Sequence, residues 1–299
     1  MVAPMPIRYV EPVYRPPSEA RSLILPVTDG CSWNRCTFCE MYTAPQKAFR
    51  ARDEDEVMGA IRDTGARHGA AVQRVFLADG DALVLPTRRL LAILEAIHTH
   101  LPGVRRISSY CLPRNLRKKP QAELDALAAA GLTLVYVGAE SGDDTVLARV
   151  SKGETFDTTR AALDKLGTAG ISRSVMILNG LGGRTLSEAH ADHSARLMNL
   201  TQPEYLSTLV VSFPLGEARL RAGFPDWQPL DQAGLFREME HFLDGLELKR
   251  TVFRSDHASN WLVLKGTLGA DKARLLAQVR AAIAAPGAAN LRPDWARGL

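Results

Sequence analysis

The chain has 299 residues, 46% hydrophobic and 23% charged, with a formal net charge of +4. These values exclude intrinsic disorder, collagen and long coiled coil, and the mild charge disfavours a nucleic-acid binder. No apolar run reaches the roughly 18 residues of a membrane span, and the first residues lack the order of a secretion signal, so a cytoplasmic location is expected.

In chain order, short apolar runs rich in β-branched and aromatic residues occupy 22–28, 74–79, 105–110, 132–138, 171–178 and 204–212. They read as buried parallel strands. Helical patterns fall between them at 53–69, with an acidic first turn and a closing glycine, at 86–100, with a proline start, at 120–131, ending on glycine, and at 155–170 and 185–200. Strand and helix in alternation predict a parallel α/β sheet with right-handed crossovers, either a partial barrel or a doubly wound layer. Beyond about residue 214 the rhythm breaks. Two amphipathic helices, 232–246 and 270–285, then flank a strand-like run at 248–269 with a polar centre. The first 20 and last ten residues are expected to be extended arms.

Three of the four cysteines, Cys31, Cys36 and Cys39, fall within nine residues directly after the first strand. A loop at the carboxyl end of a parallel strand is where α/β folds place their sites. The spacing Cys-x4-Cys-x2-Cys favours iron–sulfur over zinc, because a structural zinc site needs a fourth ligand and the nearest histidine is His68. A four-iron cluster held at three irons leaves one iron open to an outside ligand.

The run "CSWNRCTFCEMY" resembles the cluster loop of the radical S-adenosylmethionine (radical SAM) superfamily, with one residue more than the usual Cys-x3-Cys. The "GAESG" segment resembles the branch that includes the methylthiotransferases and the oxygen-independent coproporphyrinogen oxidases. "YRPPSEARSLIL" and "RSDHASN" resemble a small branch with the longer spacing and no assigned reaction. The resemblance covers roughly residues 14–270. It implies a partial (β/α)6 TIM-like barrel of parallel strands over 22–214, an N-terminal arm (1–21) and a C-terminal α/β cap and tail (215–299).

It further implies a [4Fe-4S] cluster on Cys31, Cys36 and Cys39, with S-adenosyl-L-methionine as second cofactor. Phe38 is implied in adenine contact, and the turn Asp79, Gly80 and Asp81 in receiving the amino group. Glu140 and Ser141 are implied near the ribose or amino acid end, and Asn179 with the glycines at 180, 182 and 183 near adenine. Ser109 and Arg173 complete the cofactor candidates; Arg173 needs a partner in an apolar strand, either the cofactor carboxylate or a carboxylate of the barrel. Lys152 is a weaker candidate. Candidates on the substrate side are Tyr110, Cys111, Arg254, His257 and Asn260. His190 and His193 are expected on a solvated helix face.

The implied activity is reductive cleavage of S-adenosylmethionine to a 5′-deoxyadenosyl radical that takes hydrogen from a small polar substrate. The implied electron donor is a flavodoxin or ferredoxin. A transfer-RNA methylthiotransferase is the first alternative, disfavoured by the absence of a second cysteine cluster. A non-catalytic zinc or iron–sulfur protein is another, and it leaves "GAESG" unexplained. A coproporphyrinogen oxidase is disfavoured by cysteine spacing and length.

Overall fold

The computed structural model describes residues 7–297. The strands are β1 (Leu23–Pro26), β2 (Thr28–Asp29), β3 (Arg50–Ala51), β4 (Arg74–Ala78), β5 (Arg106–Tyr110), β6 (Leu132–Glu140), β7 (Ser172–Asn179), β8 (Tyr205–Val210), β9 (Val252–Ser255) and β10 (Leu264–Thr267). The helices are α1 (Glu54–His68), α2 (Thr87–His100), α3 (Gln121–Ala129), α4 (Asp144–Arg149), α5 (Phe156–Thr168), α6 (Gly183–Thr201), α7 (Ala218–Gly223), α8 (Gln232–Gly245) and α9 (Lys272–Ala284). Eight strands form a mostly parallel sheet in the order β1-β4-β5-β6-β7-β8-β9-β10, and β2 pairs with β3. All six apolar runs of the sequence are strands of this α/β sheet. The run at 248–269 is an antiparallel hairpin of β9 and β10 rather than one strand.

The chain divides into two compact units. The first comprises the residues up to Asn34, Met41–Val137 and Lys165–Ser172; the second comprises Arg35–Glu40, Gly138–Asp164 and the residues from Arg173 onward.

In the first unit β1, β4, β5 and β6 pair in parallel. Val75, Leu77 and Ile107 on the strands and Leu90, Ile93, Leu94 and Ile97 on α2 are buried in its core. The helical residues recur every three or four positions, so one face of α2 is apolar. Asp53 caps α1 by accepting from the N–H groups of Asp55 and Glu56. On alternate strand positions the rings of Phe76, Tyr110 and Tyr136 meet edge to face, the Phe76 and Tyr110 centroids 5.1 Å apart. Where it is described, the N-terminal segment is anchored to β5 and β6. Its 3-10 turn at Pro17–Glu19 buries the Glu19 carboxylate completely, and Arg106 and Tyr136 both donate to Oε1 at 2.8 and 2.5 Å.

In the second unit β7, β8 and β9 run parallel and β10 antiparallel to β9. Val146, Val150, Leu178, Leu181, Leu220, Phe224 and Trp227 form one buried cluster. Asp143 caps α4 through Val146 N–H and Asp231 caps α8 through Gly234 N–H. Among the described residues no helix is long and apolar enough to cross a membrane.

Candidate functional site

In the first unit the cysteine loop leaves β1 through the β2–β3 pairing. Gly30 follows at φ +67°, and a Cβ there would lie 2.0 Å from the Lys47 carbonyl oxygen, so only glycine fits. Asp79, after β4, accepts from Lys47 Nζ at 2.6 Å and from Gly30 N–H at 3.3 Å, and the ion pair is almost fully buried. Gly80 N–H donates to the Gly30 carbonyl at 3.0 Å, and a Cβ at Gly80 would stand 2.5 Å from that oxygen and 2.8 Å from Cys31 Cα. Asp81 accepts from Ser32 N–H at 2.9 Å, from the Ser32 hydroxyl, and from Asn115 Nδ2 at 3.1 Å.

The Asp79-Gly80-Asp81 turn therefore grips the loop at Gly30, Cys31 and Ser32. Burial pushes both carboxyls above the ordinary aspartate value, against Lys47 at Asp79 and Ser32 at Asp81. Their carboxylates hold the loop, Asp79 through Oδ2 alone, while its Oδ1 is buried without a hydrogen-bond partner. Asn34 sits at φ +42° and donates from Nδ2 to the Tyr42 carbonyl at 2.7 Å, and the Arg114 guanidinium stacks 3.5 Å over Trp33.

In the second unit the rest of the loop is fixed independently. Cys39 N–H closes a turn onto the Cys36 carbonyl at 3.2 Å, Thr37 N–H donates to Val150 O at 2.9 Å, and Arg219 donates to the Cys39 carbonyl. Phe38 packs against the cluster around Leu178 and Phe224. Cys31, Cys36 and Cys39 are all partly exposed.

The "GAESG" segment is the end of β6 and the turn beyond it. Glu140, at φ +66°, turns its buried carboxylate to Lys152 Nζ at 2.9 Å, while Oε2 is buried without a hydrogen-bond partner. Burial opposes the Lys152 charge, but Glu140 and then the Cys36 and Cys39 thiolates outweigh it, so the ammonium titrates above the ordinary lysine value. Ser141 is occupied within the turn: its oxygen accepts from Asp143 N–H at 2.9 Å and meets His190 Nδ1 at 2.8 Å. His190 is accordingly buried, not solvated, and His193 pairs with Asp143 at 2.7 Å. Their three-residue spacing stacks them against the turn after β6.

The other cofactor candidates lie on β5 and β7. Arg173 lies at the amino end of β7 and spends its guanidinium on Glu204 and on the carbonyls of Leu163, Thr201 and Gln202. Its partner is thus a carboxylate of the fold, at the end of the strand remote from Asn179. Ser109 alternates with Tyr110, so it lies on the face opposite the aromatic trio, and its hydroxyl donates to the Leu77 carbonyl at 3.0 Å. Asn179 alternates with Leu178 and so lies opposite the face that packs with Phe38; its Oδ1 is buried without a hydrogen-bond partner. Gly180 N–H donates to the buried Glu238 carboxylate at 2.6 Å. Tyr110 belongs to the aromatic trio, and Cys111 is buried with its thiol 3.4 Å from the Leu112 carbonyl.

The polar run at 253–261 has a structural explanation. Asn260 accepts from Val210 N–H at 2.9 Å and donates to the Thr208 carbonyl at 2.9 Å, extending the hydrogen bonding of β8 past the end of β9. Ser259 accepts from Val210 N–H as well and meets His257 Nδ1 at 3.0 Å. Burial, then Arg292, hold the His257 imidazole below its ordinary value. Arg254 is exposed on β9, donating to the Phe253 carbonyl at 2.7 Å.

Sequence reasoning passed over Lys47, Ser32 and Asn115. The only available signal was polar residues in non-periodic stretches, which does not single out a distant carboxylate partner.

Among the described residues no three His, Cys, Asp or Glu side chains converge on one metal ion. A cluster bound through three thiolates, each on a different iron, does not require such convergence. The donor set fits it: three partly exposed thiols within nine residues of one loop. Within the second unit, the buried Glu140 Oε2 without a hydrogen-bond partner fits a polar ligand group.

The structure resembles coproporphyrinogen III oxidase from Escherichia coli, described as a radical SAM enzyme, with TM-score 0.56, 17% identity, and 75% of this chain and 52% of that one covered. It resembles the radical S-adenosylmethionine methyltransferase TsrM from Kitasatospora setae, solved with cobalamin and a [4Fe-4S] cluster, with TM-score 0.51, 20% identity and coverage of 62% and 36%. The cobalamin-dependent S-adenosylmethionine radical enzyme OxsB gives TM-score 0.50, 16% identity and coverage of 75% and 31%. The chain thus matches about a third to a half of the length of these structures. No curated protein matches its sequence. The family model of the radical SAM superfamily matches residues 25–196, more than half of the chain, and the chain belongs to that superfamily.

Proposed function

We propose that this protein is a radical SAM enzyme that binds a [4Fe-4S] cluster through Cys31, Cys36 and Cys39 and S-adenosylmethionine beside it. The observation that carries the reading is the cysteine loop itself, gripped by Asp79, Gly80 and Asp81 near Cys31 and by Val150 and Arg219 near Cys36 and Cys39. When bound, the cluster supplies an electron that cleaves S-adenosylmethionine to methionine and a 5′-deoxyadenosyl radical, which takes hydrogen from a substrate.

The residues of this chain bind and orient. The backbone of Gly80 offers a ligand close approach, and Glu140 offers a buried carboxylate oxygen to a hydroxyl or ammonium group. Phe38 offers a ring to a base. Ser109, Ser141, Arg173 and Asn260 have structural partners and act in this reading as scaffold. The substrate is a small polar molecule, the reductant a flavodoxin or ferredoxin, and the setting cytoplasmic. Residues 22–214 act as the catalytic core and 215–299 as a cap.

The test is anaerobic reconstitution with iron and sulfide, then dithionite and S-adenosylmethionine, with 5′-deoxyadenosine quantified. Product that Cys36→Ala abolishes is expected. Zinc binding with no assembled cluster overturns the reading.

A further inference from the structure

The turn after β6 sets a buried cation beside half of the cysteine loop. Lys152 is 5% exposed; its Nζ lies 2.9 Å from Glu140 Oε1 and 5.8 Å from the centroid of the Phe38 ring, two residues from Cys36 and adjacent to Cys39. The loop and this turn are tied together, since Thr37 N–H donates to the carbonyl of Val150 at 2.9 Å. The ammonium is ion-paired with the buried Glu140 carboxylate, the arrangement in which a buried lysine keeps its charge.

A single carboxylate would satisfy a lysine that only holds a turn. Here the cation also faces the ring of Phe38, which the loop sets between Cys36 and Cys39, the two thiols that the proposed function makes cluster ligands. In a poorly hydrated site a fixed positive charge favours any process that adds negative charge nearby. We propose that Lys152 is a positioning residue whose fixed charge raises the reduction potential of the cluster held by Cys31, Cys36 and Cys39, an inference that rests on the function proposed above. In the step concerned, one electron passes from a low-potential donor of the flavodoxin or ferredoxin class to the cluster. The donor is oxidised by one electron, the cluster is reduced by one, and no bond forms or breaks. Glu140 partly offsets the cation and so sets the opposite bias.

The test is a redox titration of the reconstituted full chain, followed by the electron paramagnetic resonance of the reduced cluster. Lys152→Met is expected to lower the ratio of reduced to oxidised cluster about tenfold at the wild-type midpoint, or about 59 mV for one electron. Lys152→Arg is expected to titrate with the wild type, and Glu140→Gln at a higher potential. If Lys152→Met assembles no cluster, Lys152→Met/Glu140→Gln is compared with Glu140→Gln alone, and the double variant is expected to have the lower midpoint. An unchanged midpoint in that comparison, or in Lys152→Met itself, overturns the role of Lys152 while leaving the function standing. A wild-type protein that assembles no cluster overturns the function itself.

Discussion

The Glu140 carboxylate lies folded over Gly138, so that a Cβ added at Gly138 would stand 2.0 Å from Oε1. Four residues after Gly138, a Cβ at Gly142 would stand 2.2 Å from the backbone carbonyl of His193 on α6. The two glycines of "GAESG" thus meet different obstacles. A carboxylate at the end of a flexible side chain swings away at small cost, whereas a helix backbone does not. Gly138→Ala is expected to fold near wild-type stability, to lose the Glu140–Lys152 pair and to bind S-adenosylmethionine about tenfold more weakly. Gly142→Ala is expected to lose about 2–3 kcal/mol of stability. Urea unfolding and equilibrium dialysis of the reconstituted proteins separate the two. Equal effects of both substitutions would contradict this division.

Glu19 ties the N-terminal segment to β5 and β6, and its side chain is fully buried. Burial alone would raise its pKa, but hydrogen bonds from Ser22, Tyr136 and Arg106 reverse that and hold it below the ordinary value of 4.5. The folded state therefore releases this proton more readily than the unfolded chain. The corresponding stability is fully present above pH 4.5 and is lost as pH falls through the lower folded-state value. Glu19→Gln is expected to flatten the acid limb of a stability–pH curve, and Glu19→Ala to cost about 3 kcal/mol at neutral pH. An acid limb that is unchanged in Glu19→Gln would place the titrating group elsewhere.

The strands and long helices were legible because burial on both faces writes continuous apolar runs and amphipathic helices write a repeat near 3.6. The six-residue helices α4 and α7 span under two turns, too few for a repeat to show. The cysteine loop was legible from spacing alone. What holds it was not: Lys47 and Asp79 are 32 residues apart, and nothing local to either predicts a buried pair. Arg173 misled because a buried charge announces the need for a partner without naming it; Glu204 lies 31 residues on. The run around Asn260 misled for a related reason. Its polar groups replace backbone hydrogen bonds at a strand end, which in a sequence looks the same as polar groups gathered for a ligand.

Asn260 acts as a surrogate strand residue, since both ends of its amide engage β8. Asn260→Ala leaves Val210 N–H with Ser259 as its remaining side-chain acceptor and strips the Thr208 carbonyl of this donor. A loss of about 1–3 kcal/mol is expected, with normal iron content after reconstitution. Arg254→Ala on exposed β9 is expected to stay within about 0.5 kcal/mol of wild type. Denaturant midpoints measure both, and a stability effect of Arg254→Ala larger than that of Asn260→Ala would reverse the assignment.

Lys47 and Asp79 form an almost fully dehydrated pair at the base of the cysteine loop. Removing one partner leaves the other charge buried, so Lys47→Met and Asp79→Asn are each expected to cost about 3–5 kcal/mol or to shift the protonation of the survivor. Removing both charges relieves that penalty, so the double variant is expected to be more stable than the sum of the single losses by about 1–3 kcal/mol. Stability is not the whole of the role, because Asp79 also accepts from Gly30 N–H, one residue before Cys31. The double variant is therefore expected to regain stability yet to retain less iron than the wild type when reconstituted and challenged with chelator. Unfolding curves on the four proteins of the cycle, each with an iron assay, read the two effects separately. Full iron retention in the double variant would mean that the pair supports the fold without holding the loop.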